Sequence, residues 1–431
     1  LEIAMSRQRT GPRRRHFLSR LPACLIAWGL LSCHSAQAAP DYLKLLDRAE
    51  TASGAPGVFA QLETLAPEAR AAVLEERAGA LDMLRNMRSL AGDASGAAQA
   101  SMWFDIARDV QSQYGRSTSL ALESATAEDA LAAIVREAKN RQIVILNEAH
   151  HVPFHRVFAA RLARELRKIG YEYLAAEAFT PDIPLHPATV DRNMGFYVNE
   201  PMYGAFVRGA IRDGWSFVGY DHNPEGAQPH ERERLRELGS ARNLVERIFT
   251  KHPKANVFMY VGYGHAGKQD VANKDGWKSV ATLLREQLGV DPLSIEQTFM
   301  YARGDARVEH PRYRAAMERF APSLPVVLRT PAGGYAMAGV RPGSYDMQVF
   351  HPDETEHGKE GRPVWMQTRA GLAPQPVPAN LLPAQGRRLI QAFHADDGPD
   401  ATPLDMVMVE AGKPAPALML PPGTFRFGFA K

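Results

Sequence analysis

The chain has 431 residues, enough for two or three domains or for one large core with terminal additions. Hydrophobic residues make up 45%, charged residues 23% and aromatic residues 8%, values that exclude a collagenous, disordered or multi-span membrane protein. The 51 Lys and Arg against 48 Asp and Glu give a formal charge of +3, which points toward nucleic acid or an anionic surface only if the excess is spread along the chain.

It is not. Arg7, Arg9, Arg13, Arg14, Arg15 and Arg20 crowd the start, where Glu2 is the one acid, and an apolar run Leu21–Leu31 follows, then Ser32 to Ala38 ending in Ala-Gln-Ala. A charged segment, a short apolar segment and a small-residue stop predict a secretory signal peptide over residues 1–38, cleaved after Ala38. The run is too short to span a bilayer. Arg14-Arg15-His16-Phe17-Leu18 resembles a twin-arginine export signal, and Leu30-Leu31-Ser32-Cys33 a lipoprotein box with Cys33 as a lipid anchor. Export to the periplasm or medium is the expectation. Losing six of the 51 basic residues and one of the 48 acidic ones leaves a formal charge of −2. Cys24 and Cys33 leave with the segment, so no disulfide, thiolate ligand or Cys nucleophile is expected, and no nucleic-acid partner.

Residues 39–139 are Ala-rich with helical spacing, as in Tyr42/Leu45/Leu46 and Leu81/Leu84/Met87, and predict a helical region broken at Gly92–Gly96. From Arg141 strands alternate with helices: strand Gln142–Leu146, helix Val157–Ile169, strand Tyr173–Glu177, helix Met202–Arg212, strand Ser216–Tyr220. The series continues with helix Glu231–Lys251, strand Asn256–Val261, helix Gly276–Leu288 and strand Leu293–Gln297. This predicts an α/β core over 140–305, a mostly parallel open sheet with helices on both faces. Residues 306–431 predict a β-rich extension with apolar runs Val326–Leu328, Tyr345–Phe350, Val364–Gln367, Met406–Val409 and Thr424–Phe429, and a proline-rich surface connection at Ala373–Ala384.

Ligands of an open parallel sheet bind outside the carboxyl ends of its strands. Here the first strand ends Asn147-Glu148-Ala149-His150-His151 with His155 beyond, the second in Glu177, the third in Tyr220-Asp221-His222, the fourth in Gly262-Tyr263-Gly264-His265. Any one such residue is more readily structural; four strands converging make a candidate site. His186, His230, His252, His310, His351, His357 and His394 stand in polar contexts and are expected at the surface. Gly262–Lys268 matches GxxxxGK but continues with Gln269, where a phosphate loop needs Ser or Thr, and its GxGxxG falls on the fourth strand. Neither GxSxG nor HExxH occurs.

The strand ends Glu148-Ala149-His150-His151, Glu177 and Gly262-x-Gly264-His265 resemble the superfamily of erythromycin esterase-like hydrolases, ChaN-like haem-binding lipoproteins and TraB/GumN/TIKI-type proteins. The resemblance spans Arg141–Gln297; in the tail Phe350-His351-Pro352 and Gly361-Arg362-Pro363-Val364-Trp365 are similar to esterase-like members. Asn147 replaces the family's Gly. The esterase pattern selects His151, three residues after Glu148, and the ChaN-like pattern His150, two after. The resemblance implies three mechanisms. In a metal-independent hydrolase of ester or amide bonds, His151 activates water, Glu148 orients it, His265 stabilises the oxyanion and Glu177 is a second base or orienter. In a metal version His151, Glu177, His265 and Glu148 ligate Zn, Mn or Co. In a haem carrier His150, His155 or Tyr220 contacts the cofactor without turnover. A small molecule or peptide is the expected substrate, and a structural envelope protein with a degenerate site is a third class.

Overall fold

The computed structural model describes residues 41–110, 122–268 and 277–430. The segment expected to be a signal peptide, with Cys24 and Cys33, and Gln269 of the glycine-rich motif lie outside the described residues. Four helices come first: α1 (Tyr42–Ser53), α2 (Gly57–Thr64), α3 (Pro67–Leu90) and α4 (Ala94–Ala107). Asp41 caps α1 by accepting from the Lys44 amide at 3.0 Å, and Asp93 caps α4 through Gly96 at 2.8 Å. A short strand β1 (Thr126–Asp129) and helix α5 (Ala130–Ala138) lead into the core.

The core runs β2 (Ile143–Glu148), α6 (Phe154–Lys168), β3 (Tyr173–Ala176), α7 (Pro201–Arg212), β4 (Ser216–Gly219), α8 (Pro229–Leu244), β5 (Val257–Gly262), α9 (Val280–Leu288) and β6 (Leu293–Glu296). Beyond it come α10 (Pro311–Phe320), β7 (Val326–Arg329), β8 (Tyr335–Ala336), β9 (Met347–Gln348) and α11 (Trp365–Thr368). The chain closes with β10 (Ala373–Gln375), β11 (Arg387–His394), β12 (Asp405–Glu410), β13 (Leu418–Leu420) and β14 (Phe425–Phe429).

Among the described residues the main sheet has six strands in the order β4-β3-β5-β2-β6-β9, all pairs parallel. β2 and β5 are buried along their whole length, which is why they read as unbroken apolar runs. One face packs Val144, Leu146 and Phe258 on α5, α6 and α7; the other packs Ile145, Met259 and Val261 on α8 and α9. The fold is thus the α/β architecture the alternation predicts, with a β-rich C-terminal region of antiparallel sheets.

Several elements differ from expectation. β1 interrupts the helical region and pairs antiparallel with β7, and α10 interrupts the extension. Val364–Gln367 turns into α11 rather than a strand, because Pro363 starts a helical turn whose Trp365 and Met366 are buried beside Met202 and Met419. The proline-rich connection contributes β10, which pairs with β13 through positions that tolerate Pro374. His310 and His351 are buried rather than exposed. Lys268 of the glycine-rich motif is clamped by Asp291 Oδ1 and Asp346 Oδ1, both at 2.8 Å, and serves as an internal ion pair.

The two ends of the described chain pack on each other: Leu74, Leu81, Leu84 and Trp103 share a core with Leu389 and Met406. The contact is close at Gly92, whose φ is +73° and whose Cβ, if present, would sit 1.9 Å from the Met406 carbonyl oxygen. This layer reaches the carboxyl edge of the sheet through a Ser101–His151 hydrogen bond and an Asp105–Arg303 ion pair. Among the described residues no helix is long and apolar enough to cross a membrane.

Candidate functional site

Glu148 ends β2 as a buried carboxylate, and its partner is Arg156, one turn into α6. Arg156 Nε donates to Glu148 Oε2 at 2.9 Å and Nη2 to Oε1 at 3.0 Å, a bidentate fork, while Nη1 donates to Glu200 Oε2 at 2.7 Å. Burial would push the Glu148 carboxyl up, but Arg156 and His150 outweigh it and hold it well below the usual carboxylate range. Glu148 is therefore a fixed anion, unsuited to taking a proton itself.

His150 Nδ1 lies 2.8 Å from Glu148 Oε1. An ionised carboxylate only accepts, so Nδ1 carries a hydrogen, and in the neutral tautomer Nε2 is the acceptor. The ring is held flat against Tyr197, centroids 4.2 Å apart at 16°, and edge-on to Tyr263. Nε2 faces β5: a Cβ on Gly262 would lie 2.6 Å from it and 3.1 Å from Glu177 Oε2. Glycine at 262 is what lets His150 and Glu177 approach the same spot.

Glu177 follows β3 and is oriented by the Gly262 amide on Oε2 and by Arg236 Nη2 on Oε1, the latter at 2.6 Å. Its pKa would rise through burial, but His265, Arg236 and His150 hold it below the usual range. Arg236, on the inner face of α8, is also forked onto Asp221 at 2.9 and 3.0 Å. His265 Nδ1 donates to Glu237 Oε1, and His265 Nε2 is 3.9 Å from Glu177 Oε1 and 3.3 Å from Arg236 Nη1. Burial disfavours the charged ring, yet Glu237 and Glu177 overcome it and push the pKa up to about 10. In that charged form Nε2 and Nη1 both carry hydrogens, so their contact is a hydrogen bond only when the ring is neutral. Charged, they are two donors converging on one place.

His151, adjacent in sequence, belongs to another network. Its Nε2 is 2.9 Å from Ser101 Oγ of α4 and its Nδ1 is 3.3 Å from Tyr263 Oη. Burial, aided by Arg85 and Arg303, holds it well below the histidine range, so it is neutral. His155 is also buried and neutral; its Nδ1 accepts from the Ala149 amide at 3.2 Å, bracing the turn after β2. Tyr220 packs in the core with Val218 and Ala241.

The sequence-derived residues thus divide. Glu148, His150, Glu177 and His265 meet at the crevice between β2, β5 and β3, while His151, His155 and Tyr220 do not join them. Arg156, Arg236, Glu237 and Ser101 were not legible, because each sits on a helix whose charged or small residues look like an ordinary solvent face. One signal was available for Arg156: a buried Glu148 demands a cation, and Arg156 is the first in the chain after it. The metal set Glu148, His151, Glu177 and His265 does not converge. Among the described residues Glu233, Glu237 and His265 bring ligand atoms within 4.8 Å of one another, but Arg236 already sits there, 3.8 Å from Glu233 Oε1. A concavity of about 880 Å³ runs along α8 past Leu235, Leu238 and Arg242, and none of these site side chains lines it.

The fold and site together define an open parallel α/β protein with a Glu/His cluster at the strand-end crevice. No protein-family model and no curated protein matches the chain. Among solved structures it is similar to one described as bacterial protein toxins (16% identity, TM-score 0.30, 47% of each chain). It is also similar to the type III effector HopBA1 (13%, TM-score 0.27, 41% of this chain and 88% of that one). A third is RRSP, a MARTX toxin effector domain from Vibrio vulnificus (15%, TM-score 0.27, 51% and 45%). The chain spans about half the length of the first and third of these. Overlaps this loose leave function to the chain's own residues.

Proposed function

We propose that the protein is an exported hydrolase, cleaving an ester or amide bond in a small molecule or peptide with water activated by His150 rather than by the His151 of the esterase pattern. The observation that carries this is the Glu148–His150 bond at Nδ1, which fixes the tautomer and aims a bare Nε2 at the spot shared by Glu177 and Gly262. Water loses its proton to Nε2 as its oxygen bonds the carbonyl carbon. Glu148, itself locked by Arg156, stabilises the resulting imidazolium, as does the face of Tyr197. The oxyanion accepts from the converging donors of His265 and Arg236. Collapse of the adduct expels the leaving group, which takes the proton held on His150. Glu177 keeps His265 and Arg236 aligned.

The test is hydrolysis of a panel of aryl esters and anilides by the mature protein. His150→Gln and His265→Asn each lower kcat about a hundredfold or more, and a chelator leaves the wild-type rate unchanged. A preparation that shows a stoichiometric Soret band on haem titration and turns over nothing in the panel defeats this reading in favour of a haem carrier.

A further inference from the structure

Ser101 and His151 stand apart from the hydrolytic cluster, yet the direction of every bond they make can be assigned. Arg85 Nη1 lies 3.4 Å from Ser101 Oγ, and a guanidinium only donates, so the serine hydrogen is free for His151 Nε2 at 2.9 Å. With Nε2 accepting, the neutral ring carries its hydrogen on Nδ1, which donates to Tyr263 Oη at 3.3 Å. The chain Arg85 to Ser101 to His151 to Tyr263 therefore runs one way, from α3 through α4 to the turn after β5.

Tyr263 is where that chain does something a docking contact need not do. Its φ is +38°, the left-handed region that a bulky side chain rarely adopts and that persists only where the surroundings over-determine it. The surroundings are on hand: Asn147 Nδ2 donates to its carbonyl at 2.8 Å, the His150 ring meets its own edge-on at 5.2 Å, and the Arg85 guanidinium lies 5.8 Å from it. Gly262, whose amide orients Glu177, precedes it, and His265 comes two residues after it.

The geometry points to a positioning relay in which Ser101 and His151 hold Tyr263 in its left-handed turn and so aim the Gly262 amide and the His265 ring at Glu177. The helical layer then sets the competence of a site built on the sheet. The kinetic part of this inference rests on the hydrolytic reading; the structural part does not.

Three variants of the mature protein test it: Ser101→Ala, Ser101→Thr and Tyr263→Phe. Ser101→Ala and Tyr263→Phe lower kcat about tenfold or more at unchanged KM, and Ser101→Thr, which keeps the hydroxyl, recovers the rate. In parallel, amide hydrogen exchange over residues 262–266 speeds up in Ser101→Ala and Tyr263→Phe while β2 stays protected, a readout that needs no substrate and decides the matter even if the hydrolytic reading fails. Should Ser101→Ala not fold, Tyr263→Phe, which loses a single oxygen, decides. Unchanged exchange at 262–266 in both overturns the relay. So does covalent labelling of Ser101 by a fluorophosphonate, since Ser101 would then be a nucleophile acting on substrate directly.

Discussion

Two neighbouring histidines, His150 and His151, have opposite partners: both lie beyond β2 in the turn that the Val152 amide closes onto the Ala149 carbonyl at 2.9 Å, and the two rings leave that turn on different sides. One finds Glu148, the other α4. The short motif could not separate them, since both spacings from Glu148 fit a family pattern. The partner of Glu148 makes a sharp prediction. Glu148→Gln leaves Arg156 with Glu200 alone in a fully buried setting, and removing one member of a buried pair costs about 3–5 kcal/mol; chemical denaturation would show whether the loss is of that size. Gly262→Ala should act differently, because its Cβ would press on His150 Nε2 at 2.6 Å. Activity is lost while the circular dichroism and melting curve stay near wild type. His265 gives an alkaline signature. Its folded pKa, about 10, exceeds the ordinary 6.5, so its contribution to stability is complete below 6.5 and disappears as pH rises through about 10. His265→Gln should flatten that alkaline limb, and an unchanged limb would show that Glu237 and Glu177 do not hold the proton there.

At the scale of elements, what could be read was what burial writes into sequence. β2 and β5 are covered on both faces and show as continuous apolar runs, and the helices between them show their 3.6-residue period, so the order of the α/β core was legible to within a few residues. β1 was not, because three of its four residues are exposed and nothing apolar marks it. β10 was hidden by Pro374, and α11 by the apolar Val364-Trp365-Met366 run, which periodicity cannot tell from a strand. Helix-borne site residues were missed for the matching reason: Arg236 and Glu237 lie among Glu231, Arg232, Glu233 and Arg234, and which of these turns inward depends on packing against β5. The turn between α3 and α4 carries its own prediction. Gly92 has φ +73° and no room for a Cβ against Met406, so Gly92→Ala must push α4 off the C-terminal sheet. The melting temperature falls, and Ser101 is displaced from His151, so the proposed hydrolytic activity falls with it.

The molecule as a whole stores several histidines in neutral form, and this sets how it meets acid. His151, His155 and His351 are buried where a charged ring is disfavoured; burial brings His351 down to about 3 and takes the other two well below 6.5. His155 and His351 rings are 5.2 Å apart, so charging one makes charging the other harder. The unfolded chain takes up these protons near 6.5 and the folded chain does not, so stability falls continuously as pH drops from about 6.5 toward 3. Glu148 and Glu177 add to the same limb from the other side: held ionised when folded, they lose stabilising contacts as pH falls below the ordinary carboxylate value of 4.5. Two slopes should therefore be separable in unfolding free energy against pH, a histidine slope above 4.5 and a steeper one below it. His351→Gln removes one histidine's share of slope from 6.5 down to about 3, so it lowers both limbs by the same amount and leaves the extra steepness below 4.5 unchanged. It also keeps an amide donor within reach of Gln297 Oε1, which His351 Nε2 contacts at 3.0 Å, so stability above 6.5 should change little. If the variant and the wild type lose stability in parallel between 6.5 and 4.5, His351 is not among the groups that make the fold acid-sensitive in that window.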